Sequence, residues 1–196
     1  MLHAGCETPA RRAAGRHRAG PTSACALTSR AVSRLLILAG GCRGRQLAGA
    51  LAQEGHAVRI STREERGRAA IEALGAECWV GTPDRLATLR GALESVTVAC
   101  WLLGTATGSE GELRELHGPR LELFLTQAID STVRGFLYEA RGDERLREAL
   151  AAGERSVREI AARNAIPTAF LTADPTDAQA WLADARTQIA RLLNCA

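Results

Sequence analysis

The residues best placed to do chemistry are the glycines of Ala39-Gly40-Gly41-Cys42-Arg43-Gly44. They follow a short apolar run, Leu35-Leu36-Ile37-Leu38-Ala39, and open an amphipathic segment. Gly41 and Gly44 take the second and third glycine places of a phosphate-cradling turn, and Ala39 stands where the first would be. Gly41 lets backbone approach a diphosphate, and the helix N-terminus offers N–H donors and positive potential. Gly44 permits close packing of helix on strand. The competing reading is a tight strand-to-helix turn whose site is no longer used.

The end of the second strand is the next informative place. NAD sites put Asp or Glu there for the ribose 2′-hydroxyl. Here the strand ends Ile60-Ser61-Thr62-Arg63. An arginine suits a 2′-phosphate by charge and by paired hydrogen bonds. Arg43 in the turn would add a second cation. The spacing therefore predicts NADP(H) over NAD(H). Glu64 reaching the ribose would reverse that preference, and a solvated Arg63 opening a charged helix would remove it.

Other residues lie where a ligand would sit. His117, before Gly118-Pro119-Arg120, falls on the substrate side, where with Arg120 it would bind an anion or donate a proton. Its plain alternative is a helix-break residue. Glu139 and Arg141 reach the same edge, with mutual pairing or pairing with Arg134 as the structural reading. Cys42, at a helix N-terminus, is either redox-sensitive or a small residue filling a turn. Cys78 and Cys100 read as small core residues. Trp79, Trp101 and Trp181 read as packing residues, since no basic groove accompanies them.

The elements that must position these residues alternate. Strands are expected at 35–39, 57–62, 77–81, 96–103, 132–140 and 167–173. Helices are expected at 45–53, 64–74, 113–129, 143–164 and over the last amphipathic stripe, Ala178 to Leu193. One more helix is expected after the third strand, capped by Thr82 with Pro83 first and Leu86, Leu89 and Leu93 on its apolar face. Residues 104–111 read as a loop, and Gly118-Pro119 as a break inside 113–129. Such alternation predicts an α/β domain, a doubly wound parallel sheet of order 3-2-1-4-5-6. Its ligand crevice lies at the carboxyl ends of the strands where the order reverses.

Composition narrows the function further. The 196 residues suit one domain. All 25 basic residues are arginine, so lysine chemistry is excluded. Six of those arginines and one acid fall in residues 1–34. Residues 35–196 hold 19 arginines against 21 acids, which leaves the body without a nucleic-acid footprint. Residues 1–33 read as a disordered basic extension and 34–196 as the domain. Six scattered cysteines and four histidines show no metal-ligand spacing, so no metal is expected. No run of 18 apolar residues spans a membrane. Unpaired cysteines and no credible export signal predict a cytoplasmic location. The arginine- and alanine-rich, lysine-free composition matches a high-GC bacterial genome.

The chain resembles the atypical and extended short-chain dehydrogenase/reductases, the NAD-dependent epimerase-like and NAD(P)H-binding group. The likeness rests on LLILAGGCRG, GHAVRISTR, GAECWVGTPDRLATLRGALESV, VTVACWLLG and VRGFLYEA, over roughly residues 35–174. It implies a Rossmann fold and a bound dinucleotide. It would place adenine near Thr82 and Asp84, and the nicotinamide side near Leu103, Gly104 and Thr105. The family's Asp after strand three is Thr82 here. Its Tyr-x-x-x-Lys pair is absent: the single tyrosine, Tyr138, lies within strand five, and Ala140 stands where the family has a serine. The resemblance therefore implies an NAD(P)(H)-binding module without tyrosine-dependent catalysis, acting as a cofactor-responsive or regulatory partner of a small molecule or protein. The alternatives are an NADPH-dependent reductase of the flavin or biliverdin reductase type, and a non-binding interaction protein on a retained fold. The C-terminal helix, with Trp181 and Ile189, docks on its own sheet or in a homodimer.

Overall fold

The pattern of burial along the first strand sets the plan of the fold. In the computed structural model, which describes residues 33–39 and 41–195, β1 spans Arg34–Leu38. Leu35 and Ile37 enter one apolar layer, Leu36 and Leu38 the other, and all four are fully buried. A strand covered on both faces belongs inside a parallel sheet. The extension expected over 1–33 lies outside the described residues, Ser33 excepted, and so does Gly40.

Five more strands join β1. They are β2 (Ala57–Thr62), β3 (Glu77–Val80), β4 (Val98–Trp101), β5 (Gly135–Glu139) and β6 (Thr168–Leu171). All pair in parallel, in the order β3-β2-β1-β4-β5-β6. The order reverses at β1: Leu35 pairs with Val58 on one side and Val98 on the other. This is the Rossmann topology the alternating pattern predicts.

Helices cover both faces. Helices α1 (Cys42–Gln53), α2 (Arg68–Glu72) and α6 (Ala178–Cys195) bury Leu47, Leu51, Ile71, Trp181 and Ile189 in the layer with Leu35 and Ile37. Helices α3 (Glu110–His117), α4 (Pro119–Ile129) and α5 (Arg147–Asn164) form the other layer. There Phe124, Leu150 and Val157 pack with Trp101, Phe136 and Tyr138. The Trp101 and Phe124 rings lie 5.2 Å apart. Each such side chain, fully buried, contributes about 1.5–3 kcal/mol.

Three local expectations are corrected. The helix expected from Thr82 is two 3-10 turns, Leu86–Leu89 and Gly91–Leu93. Thr82 caps no helix. Its Oγ1 accepts from the Asp84 N–H at 3.3 Å, and its own N–H donates to Thr88 Oγ1 at 3.0 Å, closing a turn. The helix expected over 64–74 is a 3-10 turn at Glu65–Gly67 followed by the short α2. The loop expected to Gly111 ends earlier, because Ser109 and Glu112 form a capping box that starts α3. The predicted break at Gly118-Pro119 separates α3 from α4, with Pro119 at the start of the second helix.

Candidate functional site

Every loop that leaves the carboxyl end of a strand contributes to one crevice of about 1360 Å³. That exceeds the ~300–1000 Å³ typical of a single-ligand pocket. At its centre the chain turns from β1 into α1. Gly41 is the N-cap, with extended backbone and no side-chain cap, so the first N–H groups of α1 carry no side-chain acceptor. A Cβ added at Gly41 would meet nothing within 4 Å, so the glycine leaves open space above the helix end. A Cβ at Gly44 would overlap the Cβ of Ala39. The two glycines thus do different work: one clears the crevice, the other lets α1 sit against the end of β1.

Nine of the expected residues line this crevice: Gly41, Cys42, Arg43, Gly44, Thr62, Arg63, Thr82, Leu103 and Thr105. Thr62 and Arg63 stand at the end of β2. The Arg63 side chain is 67% exposed and its Nη2 lies 3.9 Å from Asp84 Oδ2. Arg120 reaches the same carboxylate, donating to Asp84 Oδ1 at 2.6 Å. Asp84 therefore joins two arginines at the rim. Glu64 also lines the crevice, where it pairs with Arg66 at 2.6 Å.

Arg43 does not join Arg63. It points across the sheet, donating to Thr105 Oγ1 at 2.6 Å and to the Pro175 carbonyl at 2.7 Å. Its guanidinium stacks over Trp181, 5.0 Å from the ring centroid. The second cation expected beside a 2′-phosphate is thus committed to the opposite half of the crevice.

Glu139 and Gly104 form the floor beneath it. Glu139 is fully buried, and it pairs with neither Arg141 nor Arg134. Its Oε2 accepts from the Gly104 N–H at 2.6 Å and its Oε1 from Trp181 Nε1–H at 2.7 Å. Arg43 Nη2 lies 3.7 Å from Oε1. Burial pushes this carboxyl up from its ordinary range, against the pull of Gly104, Trp181 and Arg43. The Gly104 carbonyl in turn accepts from the Asp143 N–H at 2.9 Å, tying the loops after β4 and β5 together. Arg141 pairs instead with Asp174 at 2.8 Å, and Arg134 donates to the carbonyls of Ser131 and Val133.

His117 is moved off the substrate side. Its neighbour Leu116 faces the crevice, while His117 is 1% exposed and turned inward. Its Nδ1 lies 2.9 Å from the Tyr138 hydroxyl. Burial, partly offset by the Leu103 backbone, pushes the imidazole down to about 4. His117 and Arg120 are consequently not brought together on an anion. Tyr138 is buried in β5, and its hydroxyl also reaches the Leu150 carbonyl at 3.3 Å. Burial pushes its phenol above the ordinary range. Gly153 of α5 passes against that hydroxyl, where a side chain would collide.

Cys42 is exposed in the crevice and Cys78 and Cys100 are buried. Trp181 packs as expected, and its indole N–H also anchors Glu139 under Arg43. No sequence signal marks that role. Among the described residues no group of three or more His, Cys, Asp or Glu residues is placed to hold a metal, and no helix is long and apolar enough to cross a membrane.

No protein-family model and no curated protein matches the chain. Solved structures do. A short-chain dehydrogenase/reductase superfamily protein from Agrobacterium tumefaciens, with bound NAD, superposes with a TM-score of 0.58 at 18% identity, over 70% of this chain and 48% of that one. Triphenylmethane reductase from Citrobacter sp., complexed with NADP(H), gives 0.55 at 18% identity, over 70% and 48%. The UDP-glucose 4-epimerase of Thermotoga maritima gives 0.60 at 11% identity, over 70% and 54%. The chain spans about half the length of the solved structures it matches. These likenesses show a shared fold.

Proposed function

We propose that this chain binds a nicotinamide dinucleotide, NADP(H) in preference to NAD(H), and does so without tyrosine-dependent catalysis, as a cofactor-responsive binding module. The observation that carries the reading is the uncapped N-terminus of α1 opening into the crevice at the point where the strand order reverses. A diphosphate is the group that such a helix end recognises. The donor set fits: the first amides of α1 lack a side-chain cap, and Gly41 leaves room above them. The 67% exposed Arg63, steadied by Asp84, supports the 2′-phosphate preference. Two of the similar structures, by their descriptions, hold NAD and NADP(H).

A bound nicotinamide supplies hydride transfer. This chain offers Tyr138 no part in it, because the hydroxyl is enclosed by His117, Leu150 and Gly153. A second reading, an NADPH-dependent reductase whose substrate stacks beside the cofactor, draws on the apolar wall of Leu116, Ala140, Leu150 and Ala151 that continues the crevice. Solvent would then supply the proton.

Calorimetric titration with NADPH and NADH tests the first reading. NADPH binding in the micromolar range, weakened about tenfold (roughly 1.4 kcal/mol) by Arg63→Ala, is expected. No binding of either dinucleotide at millimolar concentration overturns it. NADPH oxidation with flavin or quinone acceptors would favour the reductase reading.

A further inference from the structure

A dinucleotide at this site lies across the crevice, one half on each side of the α1 N-terminus. The adenosine half faces Thr62, Arg63, Thr82 and Asp84 on the β2 and β3 side. The other half must run from the helix end towards β4 and β5. On that side Arg43 and the loop after β4 are in direct contact: Arg43 Nη2 donates to Thr105 Oγ1 at 2.6 Å. Nη1 extends the bridge to the Pro175 carbonyl, 2.7 Å away on the loop after β6. Trp181 supports the guanidinium from below, and the buried Glu139 carboxylate supplies the opposing charge. One side chain thus spans three loops across half of the crevice.

We propose that Arg43 is a specificity-determining strap: the closed crevice takes the adenosine diphosphate half alone, and the nicotinamide half enters only when Arg43 releases Thr105 and Pro175. This rests on the dinucleotide reading and adds its regulation. Because Pro175 leads into α6, occupancy by the second half is felt at the β6–α6 loop, whereas a bound diphosphate alone leaves that loop unchanged. The strap therefore distinguishes a whole dinucleotide from its nucleotide half.

The test is the ratio of two affinities, measured by calorimetry on the full chain. The probes are NADPH and adenosine diphosphate carrying a 2′-phosphate. Both probes share the diphosphate, so any effect of the Arg43 charge there cancels in the ratio, which isolates the strap. Arg43→Ala should raise NADPH affinity relative to the half-ligand by about tenfold or more, the fold-change expected from freeing two hydrogen bonds. Thr105→Val, which breaks one end and keeps the charge, should move the ratio the same way by a smaller factor. An unchanged or falling ratio in both variants overturns the proposal and shows Arg43 to be a plain phosphate ligand. If the wild type binds only the half-ligand and Arg43→Ala binds both, the strap stands and the dinucleotide reading of the wild type fails. If the wild type binds neither probe, both fail.

Discussion

Lowering the pH should charge His117 at the expense of the fold, and the cost follows from its surroundings. The imidazole is 1% exposed, against the Tyr138 hydroxyl, and burial takes it from 6.5 to about 4. Between those values the unfolded chain binds a proton here and the native protein does not. Stability therefore rises with pH across this window and is lost as pH falls from 6.5 towards 4. At roughly 1.4 kcal/mol per pH unit the loss is about 3 kcal/mol, a large share of the ~5–15 kcal/mol that holds a domain folded. The Glu139 carboxyl, pushed up by burial, acts in the opposite sense, since the native state keeps its proton above the unfolded value. A His117→Asn variant retains that contribution, so the difference between variant and wild type isolates the imidazole. Urea unfolding followed by tryptophan fluorescence, repeated from pH 7 to pH 4, is the assay. At pH 7 the variant should be less stable by about 1–2 kcal/mol for its lost packing. By pH 4 the order should reverse. Parallel stability curves across the whole range would show that His117 is accessible or already charged, and not a buried neutral imidazole.

Other outcomes follow from the same contacts. Glu139→Ala removes the acceptor of both the Gly104 N–H and the Trp181 indole N–H, and should cost about 2–4 kcal/mol in urea unfolding; a cost under about 1 kcal/mol would mean those donors find other partners. Gly41→Ala should leave stability within about 1 kcal/mol, because its Cβ meets open space, yet weaken dinucleotide binding about tenfold in calorimetry. Gly44→Ala should instead destabilise by about 1–3 kcal/mol through overpacking on Ala39, and equal stability of the two alanine variants would contradict the assigned division of labour. Burial pushes the Cys100 thiol up to about 12, so peptide mass mapping after brief alkylation should find Cys42 and Cys195 modified and Cys100 untouched, with NADPH protecting Cys42 alone.

The strands were legible because burial on both faces leaves a continuous apolar run, as in 35–38 and 98–101. Their ends were less so: apolar residues such as Val96 and Val133 are buried beside the sheet without pairing in it. The Leu86, Leu89, Leu93 stripe resembles a helix because its first interval, of three residues, serves a 3-10 turn as well as an α-helix, and its second, of four, runs from one 3-10 turn to the next. Thr82 and Pro83 carried the signs of a helix start, and the same hydroxyl closed a local turn instead. Ser109 and Glu112 stand at capping-box spacing in the sequence, a local signal that starts α3 ahead of Leu113. At the site, the glycine turn and the end of β2 could be placed because their geometry is local. The partners of Arg43 and Glu139 could not. Thr105, Pro175 and Trp181 are far apart in sequence, and only the closed sheet brings them over β5. His117 lies one helical position away from the crevice, which Leu116 faces instead.

The central claim is that the amides opening α1 receive a diphosphate, and amide shift mapping during an NADPH titration tests it most directly. The amides of Cys42, Arg43 and Gly44 should shift first and furthest, together with those of Thr62 and Arg63, while His117 and Tyr138 stay put. Saturating shifts confined to another surface, or none at millimolar NADPH, would contradict it.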